Sequence, residues 1–250
     1  MRAAIATAFV VSTACGRVDF DTVADGRPSS PYAAAVLADL PVAYWRLGDV
    51  GAIARDEIGG SDGTLEGGFT TGVGGALHGD PDAAMGFDGS TGRVVGPDRF
   101  PFLGTAPLSL ECWVREPDIT RYQHFVTKEI RANGTPMNGY AILQVTGGVY
   151  FERIYAGAQD KQTTPTPIAP DTWTHVVGTY DGSMMRIYFD GVERDTLATP
   201  GAIKSYASPL LLAAHQDGAN VLGSVDEIAI YDHALAPDRI ALHHALATSP

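Results

Sequence analysis

The chain has 250 residues, 17 Lys and Arg against 29 Asp and Glu, and a formal charge of −12. An acidic chain without a Lys/Arg cluster repels a phosphate backbone, which excludes nucleic acid as a partner, and no apolar run reaches the ~20 residues of a transmembrane helix. Its 29 Gly and 16 Pro fit many short strands joined by turns rather than a long helical bundle, at a length that one β-sandwich can fill.

Met1-Arg2 supplies a positive charge, Ala3 to Val11 a short apolar run, and Ser12-Thr13-Ala14 small residues before Cys15. That order is an export signal over residues 1–14. The small triplet ending at Cys15 resembles the lipobox of bacterial lipoproteins, although Ser12 stands where that motif has Leu. The resemblance implies that the Cys15 sulfur is acylated and anchors the exported chain to the cell envelope, ordinary secretion being the alternative. Gly16, rather than Asp, after the cysteine resembles the sorting rule for the Gram-negative outer membrane. Residues 15–31 then form a lipidated start and a polar tether, and 32–250 the single domain. With Cys15 acylated, Cys112 has no disulfide partner and reads as a small buried hydrophobe.

Tyr32–Asp39 is Ala-rich and predicts two turns of helix, stopped by Pro41. Beyond it the apolar period is two. Strands are expected at Val42–Leu47, Arg93–Val95, Leu108–Arg115, His124–Lys128, Tyr140–Val145, Val149–Tyr155, Thr174–Tyr180, Met184–Phe189, Leu210–Ala214 and Ser224–Tyr231. Gly147-Gly148 and Asp181-Gly182 supply hairpin turns, and Asp190-Gly191 reverses or bulges the chain before Val192. Pro237-Asp238 opens a short C-terminal helix over Pro237–Leu242, with an acidic residue in its first turn.

Alternation assigns faces. Leu108, Leu110, Cys112 and Val114 point one way; Ser109, Glu111, Trp113 and Arg115 point the other. Met185, Ile187 and Phe189 oppose Arg186 and Tyr188, and Ile228 and Ile230 oppose Glu227 and Tyr231. Each strand thus has an apolar side for a sheet-on-sheet core and a second side that is polar yet aromatic.

Several segments resemble one family: Pro41-Val42-Ala43-Tyr44-Trp45-Arg46-Leu47-Gly48-Asp49, Phe87-Asp88-Gly89, Leu110-Glu111-Cys112-Trp113-Val114, Trp173 to Gly182, Arg186-Ile187-Tyr188-Phe189-Asp190-Gly191 and Gly223 to Tyr231. In order and spacing they are similar to the LamG-like jelly roll domains of the concanavalin A-like lectin/glucanase superfamily, over about residues 32 to 247. Asp49 stands where the family more often has Glu, and Cys112 where it has Ala. The resemblance implies an all-β fold, a two-sheet antiparallel jelly-roll sandwich with short N- and C-terminal helical turns, one sheet presenting a shallow groove. It also implies one structural Ca²⁺, because related domains tie an N-terminal acidic loop to the last strand, and Asp49, Asp56 and Asp226 occupy comparable places. The other reading of these three is turn-capping or solvated carboxylates.

Fold alone does not give function. The endoglucanase branch of the superfamily carries acids in a Glu-x-Asp-x-x-Glu run, since retaining hydrolysis needs an acid and a nucleophile about 5–5.5 Å apart. No such run occurs here. Asp226 and Glu227 are adjacent and are expected on opposite faces, and Glu111 and Glu227 share a face without a fixed separation. The sequence also lacks a Gly-x-Ser-x-Gly elbow, His-Glu-x-x-His, Cys-x-x-Cys and a phosphate-binding loop. The expectation is a non-catalytic, surface-attached module whose outer face, with Glu111, Trp113, Arg115, Arg186, Tyr188, Glu227 and Tyr231, binds a glycan or a cell-envelope protein. The competing expectation is a structural or adhesion protein in which those rings cover a second hydrophobic layer. His175 reads as structural, and of the adjacent His243 and His244 one is expected to pack and the other to be solvated.

Overall fold

A computed structural model of the protein describes residues 30–132, 135–155 and 161–249. The expected export signal, Cys15 and most of the expected tether lie outside the described residues. Ser30 and Pro31 belong to the domain, not the tether: Pro31 opens helix α1 (Pro31–Ala38), and the Ser30 hydroxyl caps it by accepting from Ala33 N–H.

Two antiparallel sheets pack face to face. The front sheet runs, in spatial order, β14 (Val192–Ala198), β13 (Met184–Phe189), β12 (Thr174–Tyr180), β7 (Leu108–Arg115), β16 (Leu222–Tyr231), β5 (Ala83–Asp88) and β4 (Phe69–Gly74), with β1 (Ala43–Trp45) pairing along the far half of β16. The back sheet runs β11 (Lys161–Gln162), β10 (Gly148–Ile154), β9 (Thr135–Val145), β8 (Gln123–Ala132), β15 (Leu211–Leu212), β6 (Arg93–Val95), β3 (Gly63–Glu66) and β2 (Ile53–Ala54). This is the expected jelly-roll sandwich. Leu108, Leu110, Cys112 and Val114 enter the core between the sheets, as alternation requires, among Phe125, Ile142 and Phe151 of the back sheet. Burial pushes the Cys112 thiol up, so it is an inert core residue.

The hairpin signals hold. Gly147 takes positive φ in the loop between β9 and β10, and Asp190 and Gly191 both do so between β13 and β14, as a primed turn demands. Helix α2 (Pro237–Thr248) is twice the predicted length. Alternation had not marked the edge strands β4 and β14, both mostly solvent-facing, nor β2, β3, β5 and β11.

A second apolar layer lies outside the front sheet. Tyr32, Ala33 and Val36 of α1 and Ile240 and Ala247 of α2 pack on Tyr44, Trp113, Val177, Tyr188, Ala229 and Tyr231. The helices cover one end of the outer face. The other end, toward the start of β16, stays open.

Candidate ligand-binding face

The covered end gathers most of the residues expected to bind ligand. Glu111 is fully buried, and its carboxylate receives four side-chain donors: Tyr32 Oη (2.9 Å) and His175 Nε2 (2.7 Å) at Oε1, Tyr231 Oη at Oε2 (2.7 Å), and His243 Nδ1 at both oxygens (3.0 and 3.2 Å). Burial alone would raise its pKa, but the His243 charge and the His175 and His243 hydrogen bonds hold Glu111 well below the usual carboxylate range. The other nitrogen of His243 lies 3.0 Å from Asp39, which also binds Arg239 of α2 at 2.8 Å. Burial would lower the His243 pKa; Glu111 and then Asp39 outweigh it and raise it. The imidazole is therefore a charged pin between α2, α1 and the sheet. Trp113 is 2% exposed, donates to Tyr32 Oη at 3.2 Å and stacks against His175 and His244. The open aromatic platform expected at Glu111, Trp113 and Tyr231 is corrected: rings this large are the contact surface for the helices, and the second-layer reading describes them.

Glu227 lies in the same covered region, in a different cluster. Between Asp226 and Ala229 the register of β16 against β7 slips, with Glu227 at φ +50°, a β-bulge. The expectation that adjacent Asp226 and Glu227 point to opposite faces therefore fails, because the extra residue turns both away from the core. Glu227 binds Tyr44 Oη and lies 3.4 Å from Arg46 Nε; Arg46 also contacts Asp80 and Asp82 at 2.9 Å. Burial, with neighbouring acids, pushes Asp226 up to about 7 and raises Glu227 too. These acids surround a buried arginine and do not face solvent. Tyr188, 2% exposed, donates to Glu193, and Arg186 is paired with Asp181 at 2.7 Å on the flank of the sheet.

Asp49, Asp56 and Asp226 do not converge on one cation. Asp49 accepts from Arg55 N–H, Asp56 from Tyr44 and Ile58 N–H, and Asp226 from Ala76 and Glu227 N–H, all at 2.8–3.1 Å. Among the described residues no three His, Cys, Asp or Glu side chains are arranged to hold a metal ion. The geometry is that of loop-capping carboxylates.

Of the expected ligand residues, Arg115 lies on the open end. Register builds a row across four strands there: Thr70 opposes Gly86, Gly86 opposes Ser224, and Ser224 opposes Arg115. Their neighbours Met85, Val225 and Val114 are core residues, so the row faces outward. Leu222 and Asp88 form the next row. Together with Val73, Pro117 and Asp171 they line a shallow trough of about 600 Å³. Gly86 keeps its floor low, for a Cβ there would meet Val73 Cγ2 at 3.1 Å. Asp88 accepts from the N–H groups of Gly92, Thr91 and Ser90 at Oδ1, which hold its pKa down, and from the Thr91 hydroxyl at Oδ2, so both oxygens are engaged in the turn. Arg115 Nε donates to the Asp171 carbonyl at 3.2 Å, and its guanidinium is the one cation among the lining residues. The trough offers aliphatic surface, hydroxyls and a planar donor fork. Sequence reasoning misses Thr70 and Gly86 because β4 and β5 carry no clear strand signal, and Leu222 because β16 starts two residues before the expected Ser224. The alternation of Met85 and Phe87 with Gly86 and Asp88 was the available signal.

A family model described as the concanavalin A-like lectin/glucanases superfamily matches residues 88–241, and the chain belongs to this family. Comparison with curated proteins finds no match. Among solved structures, domain 4 of AbnA, a GH43 extracellular arabinanase from Geobacillus stearothermophilus, in complex with arabinotriose, superposes with TM-score 0.66 at 18% identity, over 83% of this chain and 98% of that one. The binding domain of botulinum neurotoxin DC in complex with SialylT gives 0.62 at 13% identity over 86% of this chain and 53% of that one. Trypanosoma rangeli sialidase in complex with the inhibitor DANA gives 0.57 at 14% over 83% and 32%. At these identities the likeness is one of fold.

Proposed function

We propose that the chain is a non-catalytic carbohydrate-binding module attached to the cell envelope through acylated Cys15, with the open end of the front sheet as its glycan site. The observation that carries this reading is the trough across Thr70, Gly86, Ser224 and Arg115, which sets aliphatic surface beside hydrogen-bonding groups as an amphipathic sugar requires. Two similar structures, the arabinanase domain and the neurotoxin binding domain, are described with bound saccharides, which supports the same ligand class here. The acids support a binding role over hydrolysis. Glu111 has both oxygens occupied by donors, and Asp226 and Glu227 are buried around Arg46, so none of these three faces the trough; of the two carboxylates that line it, Asp171 and Asp88, the latter is engaged in its own turn.

A glycan array probed with the exported chain tests the reading: retention of a saccharide by the wild type, lost in Arg115→Ala with the melting temperature unchanged, is the expected result. Release of reducing sugar that disappears in Glu111→Gln or Glu227→Gln would overturn the non-catalytic part. For the anchor, Cys15→Ser should abolish acyl labelling and detergent-phase partitioning, and unchanged partitioning would sink it.

A further inference from the structure

Beneath the rim of the trough, three polar side chains meet at the end of the sandwich core. Glu116 follows Val114 by two residues and so turns inward from the front sheet; Gln144 follows Ile142 by two and turns inward from the back sheet. Gln123 is the cross-strand partner of Gln144. All three are fully buried. The orientation of each amide is fixed by its partners: Gln144 Nε2 donates to the carbonyls of Asp118 and Arg121 at 3.2 and 3.3 Å, and Gln123 Oε1 accepts from Leu222 N–H at 2.9 Å. Four atoms are left without partners: both Glu116 oxygens, Gln144 Oε1 and Gln123 Nε2.

With Glu116 ionised, that tally is three acceptors against one donating group. A buried carboxylate would then face an amide oxygen with no donor between them, which burial makes costly. Adding one proton to Glu116 supplies the missing donor.

We propose that this end of the core is built around one titrating proton: Glu116 is a neutral carboxylic acid that donates to Gln144 Oε1 and accepts from Gln123 Nε2, and its ionisation loosens the rim of the trough. Burial pushes Glu116 up to about 8, with Asp118 adding to the rise; a Gln144 amide that donated to the carboxyl would oppose it, but its Nε2 is engaged by the Asp118 and Arg121 carbonyls. The ionisable groups acting around it are Asp118, Arg121 on the same loop beside Asp118, and the inert Cys112 thiol. The link to the trough is direct. Glu116 O accepts from Asp171 N–H at 2.7 Å, Gln123 holds Leu222 N–H, and Pro117 is the next residue, so three lining residues hang on this node.

The sign of the pH dependence follows. The folded pKa lies above the unfolded one, so global stability falls as pH rises from about 4.5 to about 8 and is level beyond. The local change at the rim comes later, as the folded-state proton leaves near pH 8. The test is a ¹³C carboxyl titration of the full chain, with the Glu116 resonance identified by its loss in Glu116→Gln, or by its shift in Glu116→Asp if the amide variant does not fold. The expected result is a midpoint near pH 8 that calcium and EDTA leave unmoved. In parallel, amide-exchange protection of Asp171 and Leu222, corrected for the chemical rate at each pH, should fall by up to about tenfold per pH unit as pH rises toward 8 in the wild type, level off above it, and stay level throughout in Glu116→Gln. A midpoint near 4.5, a midpoint that calcium or EDTA displaces, or protection lost equally in both proteins would overturn the proposal.

Discussion

The two ends of the front sheet's outer face lie on the same strands, two residues apart, and have opposite fates. Trp113 on β7 is 2% exposed beneath α1 and α2, and Asp226 on β16 is 2% exposed and accepts from Ala76 N–H, whereas Arg115 and Ser224, each one step along, line open surface. Both ends satisfy the same alternation, so periodicity alone cannot tell a second core from a binding face. Side-chain size does. Trp113, Tyr188, Tyr231 and Tyr44 carry more apolar area than a solvated face needs and are matched by helices, while Thr70, Gly86 and Ser224 leave room above the sheet.

The comparison breaks most visibly at the covered end. Glu111→Ala strands four donors in a dry site, and Trp113→Ala removes the ring on which Tyr32 and His244 rest. Each should cost about 3–5 kcal/mol in urea unfolding, with α2 losing amide-exchange protection first. If either variant unfolds like the wild type, the helices do not depend on the network beneath them.

The origin of this network shows how far the sequence could be read. The two sheets, the hairpin turns and the outward direction of Glu111, Trp113 and Arg115 were all legible, because alternation and turn chemistry are local. That the helices fold back over one end was not. It depends on Asp39 meeting Arg239, 200 residues further along the chain, and His243 one helical turn beyond that, and on Ala-rich α1, which has little amphipathic contrast of its own. The bulge at Glu227 was equally hidden, because nothing in Asp226-Glu227 signals an extra residue until its partner strand is known. The open end suffered from the opposite problem. β4, rich in Gly and Thr and half-exposed, carries too weak a pattern to announce a strand.

A smaller effect at the covered end is a dependence on pH. Glu111 has a depressed folded pKa, so its contribution is present above about 4.5 and lost as pH falls through that depressed value. His243 has a raised one; its contribution is complete below 6.5 and lost as pH rises through the folded value. Asp226, pushed up to about 7, also costs stability as pH climbs from 3.8 to 7. Thermal melts should therefore show the domain weaker at pH 8.5 than at pH 5.5. The gap between wild type and His243→Gln should be widest below pH 6.5 and narrow above it; a gap that is constant with pH would mean that His243 packs there as a neutral ring.

At the open end the same measurements should barely move. Arg115 is partly exposed and its Nε bond to the Asp171 carbonyl is at the surface, so Arg115→Ala should shift unfolding by less than about 0.5 kcal/mol. Retention on the glycan identified by the array should nevertheless fall at least tenfold, about 1.4 kcal/mol, since the fork is the one cation of the trough. Equal losses of stability and retention would return Arg115 to a structural role and erase the contrast between the two ends.

The finest probe is the floor of the trough. In Gly86→Ala the new Cβ meets Val73 Cγ2 at 3.1 Å and Thr70 Cβ at 3.7 Å, side-chain atoms on a half-exposed edge strand that can yield by a few tenths of an ångström. Replacing a strand glycine also removes unfolded-state entropy worth roughly 0.5–1 kcal/mol, which offsets the crowding. Melting should therefore stay within a degree or two of the wild type, while a methyl rising between Thr70 and Ser224 displaces any ligand lying across the row and weakens retention by a few-fold, on the order of 0.5–1 kcal/mol. Titrating both proteins against the same saccharide separates the alternatives. Unchanged affinity would place the ligand away from the Gly86 row, nearer Leu222 and Asp88, and a large drop in melting temperature would show Val73 to be held more rigidly than an edge residue should be.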